Sequence, residues 1–339
     1  FNTTKIVYPI KLSMEQCSSE VTANYKASLV SGNRLMDLTG GFGIDSLAFS
    51  SKMGKVIYVE RNKELAEIVA HNFKVLAKPN IEIKVADAEL FLKEYGDTLD
   101  WIYLDPARRK EGGKVVKLAD CEPDILSLKE SLFSKTSNVL LKTSPLLDID
   151  LAVKELEFVK EVHVVSVEND CKELLFVLAK NAVSLDPKIV TINFLKTGDK
   201  QIFQTTKKIE QSIEVTFSEP LNYLYEANSA IMKSGSFKSI AKAFDLLKLH
   251  ANSHLYTSSE LHENFTGRVF EIESVLKYSK KEVNPKLADA KANVVSRNFP
   301  DKPDAIKKKL GIKDGGDVYL FATTNLHQKL VILLTKKIN

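Results

Sequence analysis

The chain has 339 residues, 44% of them hydrophobic and 27% charged, with a net charge of +4. That is the composition of an ordinary globular protein, long enough for two or three domains with sizeable cores. No apolar run reaches the length of a membrane span, and the first residues carry no basic flank with a hydrophobic stretch, so a membrane protein and a secretory leader are both disfavoured. Phe1 is no initiator, which leaves room for residues upstream, and the cytoplasm is the expected compartment.

The net charge conceals an asymmetry. Residues 181–339 hold 24 Lys+Arg against 17 Asp+Glu, a net of +7, and residues 1–180 hold 24 against 27, a net of −3. Phosphate binding is therefore expected mainly of the second half, with a lysine-rich solvated surface as the plain alternative. Cys17, Cys121 and Cys171 lie far apart without metal-like spacing, which suits a reducing compartment and predicts three small buried residues rather than a zinc or disulfide framework. Among the six histidines only His250 and His254 stand four apart, in a stretch that reads as loop, so no metal site is expected.

In chain order, residues 1–30 read as an extended lead-in and an amphipathic helix, with Ser13 as N-cap and Glu15 and Gln16 in the first turn. Strand-like runs follow at 34–38, 55–60, 81–85, 99–105 and 137–142, separated by helical patterns. Residues 62–76, for example, place Leu65, Ile68, Val69, Phe73 and Leu76 on one face, as in a crossover helix covering a parallel sheet. Two further apolar runs, 161–168 and 174–179, are joined by Asn169-Asp-Cys171 and predict a terminal antiparallel hairpin. Beyond residue 181 the pattern changes to short strands at 189–195, 201–206 and 212–217, then helices at 226–232 and 236–247. Strands at 269–272, 292–296, 319–323 and 330–334 and a Lys-rich helix at 304–310 complete the chain.

Three strand ends carry the chemistry. The first strand runs into Asp37-Leu-Thr-Gly-Gly-Phe-Gly-Ile-Asp45, where Gly40, Gly41 and Gly43 let the backbone turn sharply and approach a ligand with no Cβ in between. Glu60 closes the second strand, where a carboxylate can accept from both hydroxyls of a ribose. Asp105-Pro106 closes the fourth. A dinucleotide would suit the glycines and Glu60, but Asp37 and Asp45 would repel its pyrophosphate. S-Adenosylmethionine carries an ammonium and a sulfonium, which such acids favour, and it is the preferred ligand. Taken alone, the glycine segment is also compatible with an ordinary strand-to-helix turn in which Asp45 caps the next helix.

These motifs resemble those of class I S-adenosylmethionine-dependent methyltransferases over roughly residues 10–180. Asp37-Leu-Thr-Gly-Gly-Phe-Gly looks like their first motif, Glu60, followed by Arg61, like their ribose acid, Asp87-Ala88 like their adenine-side pair, and Asp105-Pro-Ala-Arg108 like their catalytic-loop motif. Lys11-Leu-Ser-Met-Glu-Gln-Cys-Ser-Ser-Glu20, Asp120-Cys-Glu-Pro-Asp124 and Lys142-Thr-Ser-Pro-Leu-Leu-Asp148 are similar to an uncharacterised bacterial group of these enzymes with a THUMP-like domain after the catalytic one. Arg297-Asn-Phe-Pro300 and Asp314-Gly-Gly-Asp-Val-Tyr-Leu-Phe-Ala-Thr323 fit the tail of that group. The resemblance implies an α/β, Rossmann-like doubly wound sheet with a terminal antiparallel hairpin, plus smaller α+β C-terminal domains. The implied parts are a helical lead-in at 1–30, a methyltransferase domain at 31–181, a small β-rich ferredoxin-like linker at 182–225 and a THUMP-like domain at 226–339.

The expected cofactor site comprises Asp37, Thr39, Gly40, Gly41, Phe42, Gly43, Asp45, Glu60, Arg61, Asp87, Ala88 and Asp105. Asp105, Pro106 and Arg108 are the expected catalytic residues: Asp105 holds the nucleophile on axis and takes or relays its proton, and Pro106 fixes the backbone beside it. Arg108 stands where adenine-amino methyltransferases carry a stacking aromatic, a departure from that pattern. Arg108, Arg109, Lys114, Lys307 and Lys308 are the expected substrate contacts, set against surface ion pairs and a plain exposed loop at 110–114. The polar groups of Lys142-Thr-Ser144 either face substrate or, through Ser144, cap a helix at Pro145. The implied partner is structured RNA, tRNA or rRNA, although THUMP domains usually precede the catalytic domain. A methyltransferase of a small molecule or protein, and a noncatalytic RNA-binding protein, are the rival readings.

Overall fold

The computed structural model describes residues 5–8, 17–108, 117–182 and 186–338. The chain divides into two compact units, Phe1–Val167 with Cys171–Val190, and Glu168–Asp170 with Thr191–Asn339.

The first unit alternates strands and helices. Helix α1 (Glu20–Ser28) leads into β1 (Arg34–Asp37), α2 (Ile44–Phe49), β2 (Lys55–Glu60), α3 (Lys63–Val75), β3 (Ile81–Val85), α4 (Ala88–Glu94) and β4 (Trp101–Leu104). Helix α5 (Ile125–Lys135), β5 (Asn138–Thr143), α6 (Ile149–Leu156) and the hairpin β6 (Val159–Val167) and β7 (Asp170–Ala179) follow. The strands lie in the order 3-2-1-4-5-7-6. Strands β1 to β5 pair parallel and β7 runs antiparallel to β5. Strand β4 is buried on both faces, as its unbroken apolar run requires of a central parallel strand. Order reverses between β1 and β4, so a crevice opens outside their carboxyl ends.

Local chemistry sets the boundaries. The Asn62 side chain accepts the Leu65 N–H at 3.1 Å to start α3, whose buried residues are Ala66, Val69, Asn72 and Phe73. The hairpin turns on Glu168 and Asn169, both at positive φ (50° and 63°), beginning one residue earlier than the Asn169-Asp-Cys171 pattern suggests. Helix α1 is capped by Ser19, which accepts from the Thr22 amide; Ser13, Glu15 and Gln16 lie outside the described residues. No helix starts at Pro145. Ser144 accepts the Leu146 N–H at 3.3 Å within a turn, and α6 begins four residues later, capped by Asp148. Of the cysteines only Cys121 is buried, while Cys17 is exposed, because it stands in the segment before α1 and not in a core strand.

Strand β8 (Lys188–Phe194) leads into the second unit, where β9 (Lys200–Thr206) is followed by α7 (Lys207–Ser212). The strand expected at 212–217 is thus absent. Thr206 caps α7 by accepting from Ile209, and Glu210 takes the amides of Lys238 and Ser239 at 2.8 Å each, so capping outweighs the alternation of Ile213, Val215 and Phe217. The helix expected at 226–232 is replaced by β10 (Tyr223–Ala227) and α8 (Ser229–Ser234), because Asn228 caps the helix late and β10 is claimed by strands on both sides. Helix α9 (Phe237–Ala243), β11 (Leu255–Ser258), β12 (Gly267–Lys277), α10 (Lys280–Val283), β13 (Asn293–Arg297), α11 (Pro303–Leu310), β14 (Val318–Thr324) and β15 (Leu330–Lys337) complete the unit. Its sheet runs from the short strand Leu247–Lys248 through β11, β10, β12, β15 and β14 to β13, antiparallel except for β13 with β14. Helix α11 buries Ile306 and Leu310 against one face, and Phe270, Phe321 and Leu333 pack on the other.

Candidate active site

Outside the carboxyl ends of β1, β2 and β4 lies a cleft of about 300 Å³, at the lower end of the usual range for small-molecule sites. Asp37, Thr39, Gly40, Gly41, Phe42, Gly43, Asp45, Glu60, Arg61, Asp87, Ala88 and Asp105 all line it, together with Ser18, Ala107 and Glu122.

The glycines of the turn have different reasons to be glycine. A Cβ on Gly40 would stand 2.2 Å from the Tyr58 ring, and one on Gly43, at φ +76°, would stand 2.7 Å from Phe73. Both are demanded by packing within the protein, not by a ligand. Gly41 differs: at φ +52°, an added Cβ meets nothing closer than a carbonyl at 3.8 Å, so this is the position that leaves the cleft side open. Its N–H donates to Oε2 of Glu60 at 3.0 Å, its carbonyl accepts from the Tyr58 hydroxyl at 2.6 Å, and Glu60 Oε1 accepts the Asn62 amide at 2.8 Å.

Asp37 is 1% exposed and accepts from the Thr39 amide at 3.1 Å and the Ser46 hydroxyl at 2.6 Å. Burial, helped by the negative charges of Asp45 and Asp105, pushes its carboxyl up to about 7 against those two hydrogen bonds. Asp45 does not cap α2, whose N-cap is Gly43. Instead its Oδ2 accepts from the hydroxyls of Ser18 (3.0 Å) and Tyr103 (2.6 Å), and its Oδ1 faces the Lys26 ammonium at 3.3 Å. Asp87 spends Oδ1 on the amides of Glu89 and Leu90, as N-cap of α4. Arg61 pairs with Glu122 at 2.6 Å on the rim.

Asp105 is held at two points. Its amide donates to Oγ1 of Thr39 at 2.6 Å, and its Oδ2 accepts from Nζ of Lys142 on β5. Burial pushes the Asp105 carboxyl up, and Lys142 acts in the opposite direction. Burial alone would lower the Lys142 ammonium, but Asp105, Glu173 and Asp45 together raise it. Beyond Asp105 the backbone of Ala107 and Arg108 pairs with Cys121 and Glu122 in a two-residue ladder. Cys121 is thereby buried against backbone, with its thiol 3.6 Å from the Lys117 carbonyl. The Arg108 side chain, and all of Arg109 and Lys114, lie outside the described residues.

Sequence reasoning missed the basic partners of these acids. Lys26 is wholly buried and gives Glu173 two hydrogen bonds, at 2.9 and 3.0 Å. The signal was present: Lys26 falls on the Thr22, Ala23 and Ala27 face of α1, and Lys142 interrupts an apolar strand, each a charge where periodicity asks for burial. Of the expected phosphate contacts in the second unit, Lys307 is already paired with Asp304 at 2.9 Å and Asp314 at 3.5 Å, whereas Lys308 is exposed. Lys309 stands 3.9 Å above the Tyr278 ring. The expected sites are therefore in two separate units, twelve residues along one cleft and the lysines elsewhere.

Strand order, antiparallel end and switch-point cleft define a Rossmann-like methyltransferase fold. The crystal structure of a protein from Porphyromonas gingivalis W83, provisionally described as a methyltransferase, matches with a TM-score of 0.91 and 35% identity over 100% of this chain and 85% of that one. The chain belongs to the methyltransferase family that this protein represents, with a THUMP-like domain at its C-terminal end. The sequence model of the family described as conserved hypothetical protein 95 matches residues 18–168, that of a ferredoxin-like domain matches 223–265, and that of a THUMP-like domain matches 267–337. The ferredoxin-like match thus overlaps the 182–225 stretch, where such a domain was expected, only at residues 223–225. A curated relative from Thermotoga maritima, an uncharacterized RNA methyltransferase, is 33% identical over 94 residues, 27% of this chain. The chain spans 21% of that relative's length.

Proposed function

We propose that this chain is an S-adenosylmethionine-dependent methyltransferase that modifies a base in structured RNA, tRNA or rRNA, in the cytoplasm. The observation that carries the cofactor reading is the gathering of Asp37, Asp45, Glu60 and Asp105 around the glycine turn in one cleft. A pyrophosphate brought against Asp37 and Asp45 would be repelled; an ammonium and a sulfonium would be attracted. The residues fit the group: Gly41 leaves its cleft side open, Glu60 stands at the strand end suited to a ribose, and Arg61 and Asp87 flank the region where an adenine would lie. When bound, S-adenosylmethionine supplies a methyl group on positively charged sulfur. The task left to the chain is to hold a nucleophile in line and accept its hydrogen bond, for which Asp105 is placed, with Pro106 stiffening the backbone beside it and Arg108 following in the catalytic-loop motif.

RNA as substrate is supported by the net +7 of residues 181–339 and by the THUMP-like match. Mass spectrometry of nucleosides from total RNA of a deletion strain tests it: one methylated nucleoside is expected to be missing and to return on complementation. Calorimetry tests the cofactor. Tight NAD binding with none for S-adenosylmethionine or S-adenosylhomocysteine would overturn that part.

A further inference from the structure

Lys142 sits on β5 with a side chain only 14% exposed, and its ammonium grips Oδ2 of Asp105. The Asp105 amide is tied to Thr39 at 2.6 Å, so backbone and carboxylate are both fixed. Among the described residues nothing hydrogen-bonds to the other oxygen, Oδ1. The charges of Glu173 and Asp45 also act on Lys142, and Lys26 holds Glu173 at 2.9 Å and Asp45 at 3.3 Å. A largely buried lysine among acids is costly to desolvate, and a surface ion pair would stabilise the fold at less expense. Its placement makes sense if the orientation and charge of Asp105 matter.

We propose that Lys142 is a positioning residue for methyl transfer: by gripping Oδ2 of Asp105 it fixes the carboxylate so that Oδ1 is the oxygen offered to the substrate's nucleophile. The proposal rests on the methyltransferase reading above. Lys142 does not line the cleft and acts through Asp105. The groups acting on the Asp105 carboxyl are Lys142 on β5, Asp45 on α2, Lys26 on α1, Asp37 on β1 and Tyr103 on β4, and Glu173 acts in turn on Lys142. Of these, the two lysines favour the carboxylate form and the acids oppose it, so loss of Lys142 leaves burial, Asp45 and Asp37 acting against Lys26 alone.

The experiment needs no identified substrate for its first arm. Full-length protein labelled with carbon-13 in its aspartate carboxyls and saturated with S-adenosylhomocysteine is titrated by NMR, with Asp105 assigned from Asp105→Asn. Lys142→Met is expected to raise the Asp105 midpoint by about one to three pH units, and Lys142→Arg to restore it. Lys142→Gln serves as a second neutral variant if Lys142→Met does not fold. In the second arm, transfer from tritiated S-adenosylmethionine to total RNA of a deletion strain is followed. Lys142→Met is expected to lower kcat roughly a hundredfold or more, to leave KM unchanged and to move the acid limb of the pH–rate profile upward. Lys142→Arg is expected to recover most of the rate. An Asp105 titration identical in wild type and both neutral variants overturns the proposal, as does a Lys142→Met loss of kcat with no movement of the acid limb of the pH–rate profile. If wild type transfers no methyl to RNA, the RNA reading fails, and the titration still decides the role of Lys142.

Discussion

The amide of Gly41 donates to Oε2 of Glu60 at 3.0 Å, so the glycine turn after β1 and the acid that ends β2 form one hydrogen-bonded unit. Glu60 therefore holds the turn, and on the function proposed above it also presents charge to a ribose. Glu60→Ala removes charged hydrogen bonds worth about 1.5 to 3 kcal/mol and is expected to weaken S-adenosylmethionine binding roughly ten- to a hundredfold, read by calorimetry. Glu60→Gln is expected to do no better, because its amide NH₂ would confront the N–H of Gly41 or Asn62.

The glycines separate stability from binding. Gly40→Ala and Gly43→Ala drive a methyl group into Tyr58 and Phe73, and each is expected to destabilise the protein by about 1 to 3 kcal/mol in urea denaturation. Gly41→Ala meets only an ordinary contact with the Thr39 carbonyl at 3.8 Å and the cost of a left-handed residue, about 1 to 2 kcal/mol. Its main effect is expected on cofactor affinity.

Asp105→Asn is expected to abolish methyl transfer while leaving S-adenosylhomocysteine affinity nearly intact, because Asp105 is assigned to the nucleophile. Near-full turnover by this variant with tritiated cofactor would move the chemistry to another residue.

Asp37 makes the unliganded protein sensitive to pH. Its folded carboxyl titrates at about 7, whereas an unfolded aspartate titrates near 4, roughly, so the native state binds the extra proton between those values. Stability contributed by this group is full below about pH 4, falls as pH rises toward 7, and is lost above it. Asp37→Asn is expected to flatten the decline of Tm over that range. Cationic ligand bound beside Asp37 draws the proton off, so calorimetry at about pH 6 in buffers of different ionisation heat is expected to show proton release in wild type and none in Asp37→Asn.

The basic half is tested by salt. If the second unit grips phosphates, log affinity for tRNA falls with log salt by roughly 0.7 to 0.9 for each phosphate neutralised. Lys308→Gln is expected to reduce the slope by about one such step. Lys307→Gln is expected to change it less, because Lys307 is already engaged by Asp304 and Asp314. An unchanged slope in the triple variant of Lys307, Lys308 and Lys309 would remove α11 from the RNA surface.

What the sequence by itself determined was whatever depends on near neighbours: the alternation of apolar runs at 34–38, 55–60 and 81–85 with helical faces, the glycine turn, and acids at strand ends. Period and turn chemistry act over a few residues, so they are visible without coordinates. Tertiary structure decided the rest. It made 223–227 a strand because two other strands compete for it, and it turned Gly40 and Gly43 into packing residues. It also joined Lys26 to Glu173 across 147 positions and Lys142 to Asp105 across 37. A buried charge is tolerated only where an opposite charge meets it, and which one meets it is settled by the packing of distant segments, not by the residues beside it.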